Sequence, residues 1–232
     1  MTDESSHADL LRHRTYGGWS VQRPEHGTLG RYSPDMTRLV PDGVFELRLR
    51  LDRAAYQLYR EAGVGHEQAL HNALLCPSWA GLHSAAALGV WEMEIQAPPS
   101  DRVEMVAMLW PDDDQEWPSG EINLMEGRIG TGETMTNLHW ADPLSGAPAH
   151  DPKMVPVDVT RPHRYAVEVG ETTVCWYLDG TLQRRLETPH APHTTRVHMV
   201  VQAGVHRSIL DDWHPDLEWE QTILLRPLRA PG

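Results

Sequence analysis

The stretch WPSGEINLMEG, residues 117–127, holds three side chains able to do chemistry: Glu121, Asn123 and Glu126. Two carboxylates in one site suit glycoside hydrolysis. One attacks an anomeric carbon while the other protonates the leaving oxygen and then takes a proton from water; a retaining mechanism sets them about 5–5.5 Å apart. An extended chain does not provide this directly. Residues i, i+2 and i+4 share one face of a strand, so Glu121 and Asn123 share a face and Glu126, at i+5, points to the other. Four to five residues also span about 13–17 Å at ~3.3 Å per residue. One extra residue, a β-bulge between Asn123 and Glu126, returns Glu126 to the shared face and shortens the path. The spacing predicts a bulged strand over 120–127, with Ile122 and Leu124 turned to the core. Without the bulge, the same pattern is an ordinary solvent-facing strand.

Other chemistries find less support. Of fourteen histidines, His190 and His193 sit together in PHAPH, with no acidic or cysteine partner at zinc-ligand spacing. His13, His26, His206 and His214 are scattered and read as surface or core residues. Asp112, Asp113, Asp114 and Glu116 form an acidic run just before the motif. A solvated loop is the default there; a structural Ca²⁺ is the alternative, though the twelve-residue loop pattern is missing. Such a run beside a cleft would repel anionic sugars. The glycine-rich turn 127–132 matches neither a phosphate loop nor a dinucleotide fingerprint, and no G-x-S-x-G occurs. No organic cofactor is expected.

The elements that must position these groups are short strands. Phe45, Leu47, Leu49 and Leu51 alternate with charged residues, as do Trp91, Met93 and Ile95, and later Tyr165, Val167 and Val169. Val103 to Trp110 is mostly apolar and reads as a strand buried on both faces. Val174–Leu178 ends at Asp179-Gly180, a hairpin turn; Val197–Val201 and Ile223–Leu228 are further strands. Eighteen prolines and eighteen glycines punctuate the chain. The reading is all-β: a two-sheet antiparallel sandwich. One stretch disagrees, with residues 54–75 reading as a helical or loop insertion. Residues 1–15 read as a disordered tail and 16–232 as a single domain.

Composition limits the partners. At 232 residues the chain can bury a real core, and Cys76 and Cys175 read as buried free thiols. A net charge of −13 repels nucleic acid. No run of apolar residues is long enough to span a membrane. The first residues show no basic region followed by an apolar one, so the chain reads as cytoplasmic on its face, with secretion left open if a leader precedes it. A monomer is expected.

WPSGEINLMEG resembles the catalytic strand of glycoside hydrolase family 16, whose bulged form reads Glu-x-Asp-x-x-Glu after Trp-Pro and Gly. LGVWEMEIQAPP, TNLHW, HRYAVEVGETTVCWYLDG and VHMVVQAGVH are similar to further strands of that family, so the resemblance covers about residues 28–228. It implies a concanavalin-like jelly roll and a retaining endo-β-glycosidase acting on an oligo- or polysaccharide such as a β-glucan, by hydrolysis or transglycosylation. It implies Glu121 as nucleophile, Glu126 as acid/base and Asn123 in the place of the middle Asp. It also places Trp117, His139 and Trp140 near the cleft, with Trp110 and Gln202 in the sugar-binding shell. The departures are Asn123, Val90 where an Arg is frequent, Met105 and Met108 near positions often held by Pro and Trp, and Gln202 where an Asn is frequent. An amide cannot raise a neighbour's proton affinity by charge, so slower or acid-shifted chemistry at Glu126 is expected. The competing expectation is a carbohydrate-binding or repurposed relative of the same fold, acting on no polymer or on a small glycoside or metabolite.

Overall fold

The computed structural model of the chain describes residues 12–15, 27–81, 86–113, 116–191, 194–211, 213–214 and 217–231. Strand alternation translates directly into burial. Phe45, Leu47 and Leu49 are fully buried on Val44–Leu51 while their neighbours are half-exposed, and Trp91, Met93 and Ile95 repeat the pattern on Gly89–Gln96. Such strands have one apolar face each and are stable only when two sheets close on one another.

Two sheets do so. The first runs His13–Arg14, Ser78–Gly81, Val197–His206, Val103–Pro111, Ile122–Arg128, Glu133–Ala141, Pro148–Pro156, with Thr28–Leu29 also paired to Val197–His206. The second runs Thr181–Glu187, Thr173–Leu178, His163–Val169, Gly89–Gln96, Glu220–Arg229, Val44–Leu51, Leu74–Cys76, Arg31–Tyr32, with Thr37–Val40 paired to Val44–Leu51. Every described pair is antiparallel except Arg31–Tyr32 with Leu74–Cys76. Between the sheets lies one core built around Trp79, Trp91, Trp176 and Phe45, and Cys76 and Cys175 are buried free thiols.

The insertion is two helices, Arg53–Glu61 and His66–Ala73, between strands that pair with each other through Arg50–Leu75 and Leu51–Leu74. Asp52 caps the first helix, its carboxylate accepting the Ala55 N–H at 3.0 Å. Its last residues, Leu74 and Leu75, belong to strand rather than helix.

Two expectations need correction, and one strand lies where the sequence reading placed none. The tail 1–15 lies outside the described residues except for 12–15, and there His13–Arg14 is an edge strand on Ala80–Gly81, with the His13 ring edge-on to Phe45 at 4.6 Å. Val103–Pro111 is not buried on both faces: Val103, Ala107 and Leu109 enter the core, whereas Glu104, Val106 and Trp110 are half-buried on the outer face. Pro148–Pro156 is a strand without apolar alternation, and as an edge with ladder bonds on one side it accommodates Pro148, Pro152 and Pro156.

Candidate active site

Register builds the site. Asn123 pairs with Met108 on one side and Asn137 on the other. Beyond it the register slips on both sides: Met125 faces Ala107, and Glu126 faces Val106 and Met135. This is the bulge that the spacing required, and it puts Glu126 on the face that holds Asn123. It buries Leu124 and Met125 together, at 3% and 0% exposure, where simple alternation buries Leu124 alone. A bulge leaves backbone groups without ladder partners; the carbonyl of Asn123 accepts instead the indole N–H of Trp176, at 3.0 Å, from the opposite sheet.

Glu121 precedes the ladder and is held by its carbonyl, which accepts the His139 N–H at 3.0 Å. Gly120 delivers it with φ +96, and a Cβ there would stand 2.9 Å from Thr195 Cγ2 and 3.1 Å from Val197 Cγ1. Gly120→Ala is therefore expected to cost on the order of 1–3 kcal/mol, read as a lowered melting temperature. An unchanged melt would mean that the turn before Glu121 relaxes freely.

Glu121 and Glu126 line an open cleft of about 870 Å³ across the first sheet. Trp110, Trp117, His139 and Gln202 line it too. Trp140 does not. Alternation sends it to the face opposite His139, where it packs on the core and stacks on His190 at 4.9 Å and 5°. Residues overlooked in the sequence are Glu104, Asn137 and His150. His150 pairs directly with His139, their rings edge-on at 5.6 Å. The turn residues of DPLSG between them were the available signal for that hairpin.

Hydrogen bonds converge on the two glutamates. Trp117 Nε1, on the far side of a cis Trp117–Pro118 bond, donates to Glu121 Oε2 at 2.5 Å. Asn123 Nδ2 donates to Glu126 Oε2 at 2.7 Å. Burial raises the Glu121 carboxyl above the usual carboxylate range, opposed by the donors Trp117 and Asn123, which favour the ion. His139 Nε2 lies 2.9 Å from Asn137 Nδ2, 3.5 Å from Asn123 Nδ2 and 3.5 Å from Glu121 Oε1. Two asparagine amides and a carboxylate oxygen thus surround this nitrogen, which in a neutral ring serves as donor or acceptor according to its tautomer. Burial favours the neutral form, pushing the His139 pKa down despite the charge of Glu126. Asn123 and Asn137 are almost wholly buried, and neither Oδ1 has a hydrogen-bond partner.

Of the acidic run, Asp114 lies outside the described residues. Asp112 is committed to His198 Nδ1 at 2.8 Å and to Arg196 Nε at 3.7 Å. Among the described residues no group of three or more His, Cys, Asp or Glu is arranged to hold a metal. His193 and His26 also lie outside the described residues.

No protein-family model and no curated protein matches the chain's sequence. Solved structures match its shape over nearly its whole length. A laminarinase from Rhodothermus marinus covers 97% of this chain and 92% of its own, at 17% identity and TM-score 0.67. A LamA variant from Zobellia galactanivorans in complex with laminaritriose and laminaritetraose covers 95% and 92%, at 15% identity and TM-score 0.71. A glycoside hydrolase family 16 endo-glucanase from Bacteroides ovatus in complex with G4G3G-2F-DNP covers 98% and 100%, at 12% identity and TM-score 0.68. At these identities the likeness is one of fold: the chain has the two-sheet jelly roll of the family 16 enzymes.

Proposed function

We propose that the chain is a retaining endo-β-glycosidase, with Glu121 as nucleophile, Glu126 as acid/base and Asn123 as the residue that positions both. The observation that carries this reading is the bulge, which brings both glutamates into one open cleft with a buried amide between them. Beside a carboxylate an amide must present its N–H₂ end, since its oxygen would be repelled. Asn123 Nδ2 donates to Glu126 Oε2 at 2.7 Å and the same amide favours the Glu121 ion, so one side chain addresses both carboxylates. A pair gathered on one amide suits a covalent glycosyl-enzyme rather than a water-separated inverting pair. In the first step Glu121 attacks the anomeric carbon while Glu126 gives its proton to the departing glycosidic oxygen. In the second step Glu126 takes a proton from water, or from a sugar hydroxyl in transglycosylation, and that oxygen displaces Glu121.

Among the described residues no Lys or Arg lines the cleft, and Glu104, Glu121 and Glu126 do. A neutral glycan therefore fits best, and the fold's laminarin- and glucan-cleaving representatives make a β-glucan the first substrate to try. Wild type and Glu121→Gln are to be incubated with laminarin, mixed-linkage glucan, agarose, carrageenan and aryl β-glycosides, and reducing ends measured. New ends from wild type alone support the enzyme; binding without turnover by either protein supports a carbohydrate-binding module instead.

The donor from Trp117 gives a separate handle. Glu121 must be ionised to attack, and Trp117 lowers its proton affinity. Trp117→Phe keeps the ring and removes the donor. The acid limb of kcat/KM then moves to higher pH, because the carboxylate holds its proton longer as pH rises. Superimposable limbs in the two proteins would reject either the hydrogen bond's role or Glu121 as nucleophile.

A further inference from the structure

Beyond Glu126 the cleft continues to a third carboxylate. Glu104 lies two residues along the neighbouring strand from Val106, the direct partner of Glu126. At ~3.4 Å per residue that is about 7 Å, comparable with one pyranose unit. Gly204 is its partner on one side and Arg128 on the other; Gly127, just before Arg128, has no atom within 4 Å of where a Cβ would stand. Both glycines line the cleft, so the floor drops around Glu104.

Glu104 is held but not used up. Thr28 Oγ1 donates to its Oε2. His206 Nδ1 accepts the Ser208 N–H at 3.1 Å, which leaves the ring proton on Nε2, 3.8 Å from Glu104 Oε1 and too far for a full hydrogen bond. Arg128, across the ladder, is engaged with Asp101 and Ser208 instead. An ionised carboxylate can accept about four hydrogen bonds. Thr28 supplies one, and the remaining lone pairs have the open lobe before them.

We infer that Glu104 is a specificity-determining residue of a distal sugar subsite, one ring from Glu126, where its carboxylate accepts the hydroxyl hydrogens of a neutral pyranose. The two glycines make room for the ring, and Thr28 fixes the carboxylate's orientation. An anionic sugar is refused there by like charge. This rests on the glycosidase reading and specifies its substrate: a neutral chain long enough to reach past the catalytic pair.

The test uses the full chain and linear β-1,3-, β-1,4- and mixed-linkage gluco-oligosaccharides of three to seven residues. In wild type, kcat/KM rises steeply at the length that fills the lobe. Glu104→Ala is expected to cut the long-to-short ratio about tenfold, the scale of a hydrogen bond to a charged group. Glu104→Gln, which keeps one acceptor and the shape, is expected to cut it less, and thermal melts check that both variants fold. A ratio unchanged in both variants, or an equal loss at every length, overturns the subsite while leaving the glycosidase intact. A wild type that neither binds nor cleaves any of these oligosaccharides overturns both.

Discussion

Glu126→Ala is expected to lose about 10²–10⁴-fold in kcat/KM on a polysaccharide, the range a positioned proton donor contributes. The same variant should lose far less in the first step on an aryl β-glycoside whose leaving group needs no proton. The glycosyl-enzyme on Glu121 should then accumulate, since no base remains to activate water. Added azide, already a competent nucleophile, restores turnover and yields a glycosyl azide of retained β-configuration. Glu121→Gln behaves differently: turnover of both substrates disappears, because no covalent intermediate can form. Equal loss on both substrates with Glu126→Ala, or azide products of inverted configuration, would reject the assignment of the two roles. The contrast is informative because both glutamates line the same cleft and share Asn123 as a neighbour.

Asn123→Asp should change the pH dependence more than any other single atom exchange in the site. Asn123 is 1% exposed and its Nδ2 sits 2.7 Å from Glu126 Oε2. A carboxyl in its place adds a third acid to two others under heavy desolvation, and both effects favour the protonated form. The three acids then titrate together, taking up a proton at higher pH than the pair does in wild type. Rates should fall from the acid side at higher pH than in wild type. The stability sign follows. A carboxyl whose folded-state pKa is raised binds more protons folded than unfolded, so the variant's stability relative to wild type declines as pH rises through that raised pKa. Kinetic and thermal pH profiles that overlay those of wild type would mean that residue 123 does not sense its neighbours' charge.

The amide was the one departure that sequence reasoning found hardest to place, and geometry explains why. A motif read as text makes Asn123 a missing charge. In space it is a donor aimed at Glu126 and acting on Glu121, a role that needs no charge. The bulge itself was legible, because the mismatch between i+5 and the two-residue period demands one and because Ile122 and Leu124 had to face inward. What escaped were residues whose function comes from register rather than pattern. His150 stands on an edge strand bounded by prolines, and only its pairing with His139 brings it to the cleft. Glu104 looked like one polar residue in an apolar run until its strand proved open on one face. Trp140 failed the other way: adjacency to His139 in sequence means the opposite face in a strand.

The indole of Trp176 reaches across the sandwich to the carbonyl at the start of the bulge, and the Arg184 guanidinium lies over its ring at 4.7 Å. Trp176 is itself 1% exposed and rises from a hairpin of the second sheet, far in sequence from the glutamates. The irregularity that aligns the catalytic pair is therefore underwritten from outside its own sheet. Grafting residues 117–127 onto a regular sandwich would carry over both carboxylates but not the donor that keeps their strand out of register. The transplantable unit is the strand together with the opposing hairpin.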